Sequence, residues 1–300
     1  MRKFVRKLVA AFLLLGCLGA DVFAEEVLLK HDGIELRADL TLAEDKALQD
    51  GIVLLLHGTL AHNRMEIIST TAELLNDEGY STLAINLGFA IDKRPEGMLD
   101  CGIEHRHKHE DAIAELNAWM GWLQEKGATK VAVWGHSRGG NQVAWFASEH
   151  DSDLLEKLVL VAPATWNSDG AAASYEKRYG KPLSELMQKA QKLIDTDKSG
   201  EIMEVPGFVY CQDAKASAEA FLSYGRDDER KNTPTVLKKI TKPVLVVIGS
   251  ADEVVANLPQ QLEGLNQDNL RVETVDGADH FFLDLYADEM VELITDFLDW

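Results

Sequence analysis

Residues 130–140, KVAVWGHSRGG, constrain the fold more than any other stretch of this chain. Val131 to Trp134 form an apolar run of strand-forming residues, which breaks at Gly135-His136-Ser137-Arg138-Gly139 before a helical pattern begins near Gly140. The segment therefore predicts a strand, a sharp turn with a serine at its tip, and a helix. The spacing G-x-S-x-G has a physical reason. A nucleophile on a strained turn needs residues without side-chain bulk two positions to either side, so that strand and helix can approach closely.

The flanking pattern extends this unit in both directions. Residues 26–42 predict a hairpin around Asp32-Gly33, and residues 51–58 and 80–87 are continuous apolar runs of the kind that strands buried on both faces show. Helical spacing covers 63–78, 109–126 and 140–148, with a further strand over 155–162. Residues 88–108 lack periodicity and are expected to form a loop. After Pro163 the alternation stops, and residues 163–241 offer only helical stretches, 183–194 and 214–222 among them. It resumes with strands over 243–249 and 270–275 and helices over 258–265 and 287–298. Strands alternating with helices of this length imply parallel strands joined by crossovers. The expectation is an α/β core from residues 25–162 and 242–300, with 163–241 inserted as a helical cap over the strand ends.

At 300 residues and 46% hydrophobic content the chain can bury one large core of this kind. Its first residues belong to export rather than to the fold. Arg2, Lys3, Arg6 and Lys7 precede an apolar run over 8–15 that is too short to span a membrane. Val22-Phe23-Ala24 presents small residues where a signal peptidase reads, so cleavage after Ala24 and a periplasmic or secreted protein are expected. The lipobox-like Leu14-Leu15-Gly16-Cys17 is the alternative, which would leave an anchored lipoprotein. The net charge of −20 argues against nucleic acid and anionic lipid headgroups as partners, and the mature chain contains no expected membrane span. Cleavage leaves Cys101 and Cys211, an even pair that an oxidising compartment favours as a disulfide.

A serine hydroxyl becomes a strong nucleophile only when a base takes its proton and a carboxylate fixes that base's tautomer. Asp252, in Gly249-Ser-Ala-Asp-Glu253, follows one late strand, and His280, in Gly277-Ala-Asp-His-Phe281, follows another. Ser137, Asp252, His280 is the chain order of a nucleophile-elbow hydrolase, with Glu253 and Asp279 as alternative acids. The negative oxygen of a tetrahedral intermediate needs two preorganised N–H donors. Arg138, directly after the nucleophile, is expected to supply one, and Thr59, after the His57-Gly58 turn, the other, with Leu60 as its substitute. His57 is expected to buttress that loop.

With its His-Gly turn, its G-H-S-R-G elbow, its Asp252 turn and the Gly277-to-His280 loop, the mature chain resembles the α/β-hydrolase superfamily over nearly its whole length. The resemblance implies an eight-stranded, mostly parallel sheet, a Ser-His-Asp triad and a cap after the sixth strand. Serine at the elbow, where dehalogenase and epoxide-hydrolase relatives carry aspartate, excludes those branches. The function expected is hydrolysis of a small carboxylic ester or thioester through an acyl-enzyme, without metal or organic cofactor. An acyltransferase with the same triad and a non-catalytic binding protein of the same fold are the alternatives.

Other features have plainer expectations. His105, His107 and His109 alternate and could gather around zinc or copper, but no cysteine or carboxylate spacing completes a tetrahedral set, so a polar loop near the active-site rim is expected. Asp195 to Gly200 opens like a calcium loop, yet Pro206 stands where the bidentate glutamate belongs, which favours a polar turn between helices. The Trp119 and Trp122 pair is expected to pack in the core.

Overall fold

The computed structural model describes residues 24–299. Apart from Ala24, the export segment and its alternative site Cys17 lie outside the described residues. Strands β1 (Glu25–His31), β2 (Ile34–Thr41), β3 (Ile52–Leu56) and β4 (Thr82–Asn86) are followed by a two-residue β5 (Glu104–His105), then β6 (Val131–His136) and β7 (Leu155–Val161). After the insertion, which itself contains β8 (Ile202–Phe208) and β9 (Cys211–Ser217), come β10 (Val244–Gly249) and β11 (Leu270–Val275). The main sheet has eight strands in the order β1-β2-β4-β3-β6-β7-β10-β11. Only the β1–β2 and β2–β4 pairings in it are antiparallel.

Helices α1 (Glu66–Asp77), α2 (Asp111–Glu125) and α3 (Arg138–Glu149) serve as the early crossovers. The insertion carries α4 (Ser168–Tyr179), α5 (Leu183–Ile194), α6 (Ala218–Gly225) and α7 (Thr233–Leu237), and α8 (Leu258–Leu262) and α9 (Leu285–Leu298) close the chain. Every residue of β3, β4, β6 and β10 is buried, which is why β3 and β10 are unbroken apolar runs and β4 and β6 carry polar residues only at their ends. Trp119 and Trp134 are fully buried among them. Trp122 is partly buried and meets Trp119 edge-on.

Register sets the site. Leu56 pairs with Gly135, His136 with Val161 and Gly249 with Val275, so β3, β6, β7, β10 and β11 all end along one edge of the sheet. The turns that carry Thr59, Ser137, Asp252 and His280 leave from that edge.

The insertion departs from the expected all-helical pattern. Residues 202–217 form an antiparallel β8–β9 hairpin, and β5 joins it in parallel, Glu104 beside Lys215 and His105 beside Ala216. The helix expected over 214–222 is thus a strand up to Ser217, whose side chain then caps α6 by accepting from the Ala220 N–H at 3.2 Å. Alanine and lysine are weak strand formers, so pairing and half-burial, rather than propensity, decide this stretch. The loop expected over 88–108 likewise contains β5. The turn at Asp195 to Gly200 leads from α5 into β8, not from helix to helix, and Asp197 leaves the helix at φ 58°. Cys101 and Cys211, 110 residues apart, lie with their sulfur atoms 2.05 Å from each other and join the loop after β4 to the hairpin.

Candidate active site

The turn at the end of β6 is strained, and its neighbours hold it. Ser137 sits at φ 56°, ψ −121°, a conformation that costs on the order of 1–3 kcal/mol for a residue with a Cβ. Its N–H donates to Val161 O at 2.9 Å, and its carbonyl accepts from Ala164 N–H at 2.9 Å and Asn141 N–H at 3.2 Å. The flanking glycines make the approach possible. A Cβ on Gly135 would lie 2.6 Å from Gly139 O, and one on Gly139 would lie 2.4 Å from His57 O.

His280 reaches this turn from the loop after β11. Its Nε2 lies 2.9 Å from Ser137 Oγ and its Nδ1 lies 2.7 Å from Asp252 Oδ2. A Cβ on Gly249 would come within 2.4 Å of Ala278 O, so only glycine lets β10 and the His280 loop pack this closely. The other carboxylate oxygen of Asp252 accepts from Val254 N–H at 2.7 Å and Val255 N–H at 3.1 Å. Burial pushes the Asp252 carboxyl up, but the His280 hydrogen bond and these two N–H groups more than offset it and hold it below the usual carboxylate range. Glu253 and Asp279, the alternative acids, are exposed, and Asp279 accepts from Phe281 N–H at 2.8 Å.

On the other side of the serine stands the turn after β3. A Cβ on Gly58 would lie 3.2 Å from Ser137 Cβ, so Thr59 follows directly beside Ser137. Arg138 opens α3, and N–H groups in a first helical turn have no partner within their own helix. The guanidinium of Arg138 donates from Nε to Thr59 Oγ1 at 2.9 Å. His57 is fully buried and fixes the turn: Nδ1–H donates to Gly58 O at 2.9 Å, and Nε2 accepts Leu87 N–H at 3.1 Å. Burial, with Arg94 nearby, lowers its pKa to about 3, so the ring is neutral, as those two bonds require. Leu60, the substitute donor, is buried at φ 54° with its carbonyl accepting Leu99 N–H at 2.8 Å.

Two supports have only weak sequence signals. His136, inside the elbow motif, donates from Nε2–H to the carbonyl of His280 at 2.8 Å, and burial lowers its pKa to about 3. Arg94, buried in the aperiodic loop after β4, donates to Leu87 O at 2.6 Å and to Ala61 O at 2.7 Å, clamping that loop to the turn after β3. A lone arginine among glycines and prolines gives no such indication.

The three alternating histidines are not a polar rim. His105, His107 and His109 are all buried. His107 Nδ1 meets Tyr224 Oη at 2.9 Å, His109 stacks on Trp145 with centroids 5.5 Å apart, and His109 Nδ1 accepts from Arg138 Nη1 at 3.1 Å. Burial lowers the pKa of each, that of His107 to about 3, which makes all three neutral and lets His109 accept from Arg138. Among the described residues no group of three or more histidine, cysteine or carboxylate side chains is placed to hold a metal ion.

Residues 48–284 match the family model described as serine aminopeptidase, S33, within the hydrolases. Solved structures that superpose on the chain include Est1E from Butyrivibrio proteoclasticus with ferulic acid bound, at 20% identity and a TM-score of 0.66, covering 91% of this chain and 97% of that one. An esterase from Pyrococcus furiosus aligns at 18% identity and TM-score 0.59 over 93% of this chain and 90% of its own. A monoacylglycerol lipase from Paleococcus ferrophilus aligns at 20% and 0.60 over 88% and 98%. At these identities the likeness is one of fold. No curated protein matches the chain.

Proposed function

Because this chain belongs to the S33 serine aminopeptidase-like family of α/β hydrolases, we propose that it is a serine hydrolase that cleaves small carboxylic esters, thioesters included, with Ser137, His280 and Asp252 as its triad. The observation that carries this reading is the unbroken proton path: Ser137 Oγ to His280 Nε2 at 2.9 Å, and His280 Nδ1 to Asp252 Oδ2 at 2.7 Å.

In the reaction, His280 Nε2 takes the hydroxyl proton as Ser137 Oγ attacks the carbonyl carbon. Asp252 accepts from Nδ1–H and stabilises the imidazolium that forms. The negative oxygen is held by the N–H groups of Thr59 and Arg138. The tetrahedral intermediate collapses as His280 gives its proton to the leaving alcohol. A water, deprotonated by the same nitrogen, then releases the acid from Ser137. Residues 163–241 act as a cap over a core of residues 25–162 and 242–300. The protein works after export, with Cys101 and Cys211 oxidised.

The family's description names aminopeptidases, and the cavity lined by Arg138 is what favours esters over peptides. A free α-amino group calls for a carboxylate, and that cavity has none, whereas the cavity that shares Trp166 and Ala171 with it has one, Glu253. Labelling with a fluorophosphonate probe tests the reading: the wild type is expected to react and Ser137→Ala is not. Equal labelling of both, or of neither, refutes the assignment of the nucleophile.

A further inference from the structure

Between the elbow and the insertion lies a cavity of about 130 Å³, walled by Arg138 and by the rings of Trp166, Tyr175, Phe208, Phe221 and Tyr224. The tyrosine hydroxyls are already bonded, Tyr175 Oη to Gly207 O at 2.8 Å and Tyr224 Oη to His107 Nδ1 at 2.9 Å. The lining is mainly apolar, and the one charged side chain in it is a guanidinium.

Acidic residues outnumber basic ones 50 to 30, and six of the nine described arginines, Arg37, Arg64, Arg106, Arg226, Arg230 and Arg271, each hold a carboxylate. Of the other three, Arg94 is bonded to the carbonyls of Leu87 and Ala61, Arg178 is exposed over the Tyr210 ring, and Arg138 faces the cavity. Arg138 is half-buried and has no carboxylate within salt-bridge distance among the described residues. Of its five N–H donors, two are engaged, with Thr59 Oγ1 and His109 Nδ1, and its charge lies 5.3 Å over the Tyr224 ring. The nearby acids are taken: Glu110 pairs with Arg226 at 3.3 Å and Asp228 with Arg230 at 2.7 Å. A second cation backs the wall. Lys231 is 3% exposed, donates to Tyr224 O at 3.1 Å and Arg226 O at 2.8 Å, and lies 5.1 Å from the Trp166 ring. A partly desolvated charge without a counter-ion is costly, and an anionic ligand would offset that cost with a charge-assisted, two-pronged bond.

Resting on the esterase reading, we propose that this cavity is a substrate subsite for a carboxylate-bearing group on an apolar body, with Arg138 as the residue that recognises the anion. The natural substrate is then an ester whose acyl or alcohol part carries a second, free carboxylate.

The test compares p-nitrophenyl hydrogen glutarate with p-nitrophenyl valerate, which differ at the chain end by a carboxylate against a methyl group. The wild type is expected to favour the glutarate at least tenfold in kcat/KM. Arg138→Gln should abolish that preference and Arg138→Lys should keep part of it. Because the side chain also bonds Thr59, rates on both esters will fall in the variants, and only their ratio is read. Equal or reversed preference in the wild type overturns the proposal while the valerate turnover preserves the esterase reading, and a preference that survives Arg138→Gln overturns it too. Binding to Ser137→Ala decides the question without turnover. Hydrocinnamate should bind at least tenfold more tightly than hydrocinnamamide by calorimetry, and equal affinity or no binding overturns the subsite. If the wild type hydrolyses neither ester, the esterase reading falls, and this titration alone decides the anion site.

Discussion

Asp252→Asn isolates the least visible member of the proposed triad. The substitution keeps the volume, and the amide oxygen can still accept the Val254 and Val255 N–H groups that fix the turn. What changes is the atom facing His280 Nδ1, now an NH2 donor where a carboxylate accepted at 2.7 Å. Two donors cannot face each other. The imidazole must shift to the tautomer with its proton on Nε2, where it can no longer take the proton from Ser137 Oγ. Losing the correct tautomer in a triad of this kind lowers kcat by about 10⁴-fold, or about 5 kcal/mol of transition-state stabilisation. Folding should lose far less, about 1–2 kcal/mol for the weakened hydrogen bonds. The assay pairs kcat on a p-nitrophenyl ester with a thermal melt, so that lost activity is separated from lost structure. Glu253→Gln and Asp279→Asn serve as controls and should leave kcat near the wild-type value. A kcat for Asp252→Asn within tenfold of wild type, or a large loss in either control, would refute the assignment of the acid.

Glu115, on the buried face of α2, tests the electrostatics of the loop after β4. Burial raises its pKa to about 8, while its bond from Gly88 N–H, 2.9 Å long, opposes the shift. The folded state therefore holds this proton more tightly than the unfolded chain, whose carboxyl titrates near 4.3, so the wild type loses stability as pH rises from that value to about 8 and no further above it. Glu115→Gln keeps an acceptor for Gly88 and removes the titration, so across that window the wild type should fall by about 3 to 5 kcal/mol relative to the variant, read from chemical denaturation. A difference that stays constant with pH would contradict it. For the cysteines, thiol titration of the denatured, unreduced, exported protein should find no free thiol at Cys101 or Cys211. Breaking the link by Cys101→Ser with Cys211→Ser should cost about 5 kcal/mol, the loop-closure value for 110 residues.

The main sheet was legible because its strands are buried on both faces, which leaves an unbroken apolar run in the sequence of β3, β6 and β10. Ser137, Asp252 and His280 were legible for a related reason. Ser137 and Asp252 each follow such a strand, His280 follows the partly exposed edge strand β11, and parallel strands in register place their exits along one edge. The β8–β9 hairpin was not legible. Its residues alternate in burial, but Pro206 and Gly207 interrupt one strand, and alanines with a lysine make up much of the other, so the local pattern fits a helix as well as a strand. Only pairing with each other, and of β9 with β5, resolves the choice. The histidines after β4 were opaque in the same way. Imidazole is polar in sequence, and what buries these three is Phe208, Tyr224 and Trp145, all distant along the chain.

The illegible elements share a location, and this has a mechanistic consequence. The loop after β4 is tied to the insertion by β5–β9 pairing, by the cysteine pair, and by the bond from His109 N–H to Ser223 Oγ at 2.8 Å. From there a chain of contacts runs inward. Trp145 stacks on His109, His109 accepts from Arg138, and Arg138 donates to Thr59 beside Ser137. His109 can play this part only as a neutral acceptor, and burial keeps it so. The insertion is therefore tied into the elbow. It holds the one imidazole that orients Arg138, and through it the turn on which any negative oxygen at Ser137 would depend. Under the subsite proposal, substrate recognition by Arg138 and preorganisation of that turn run through a single guanidinium.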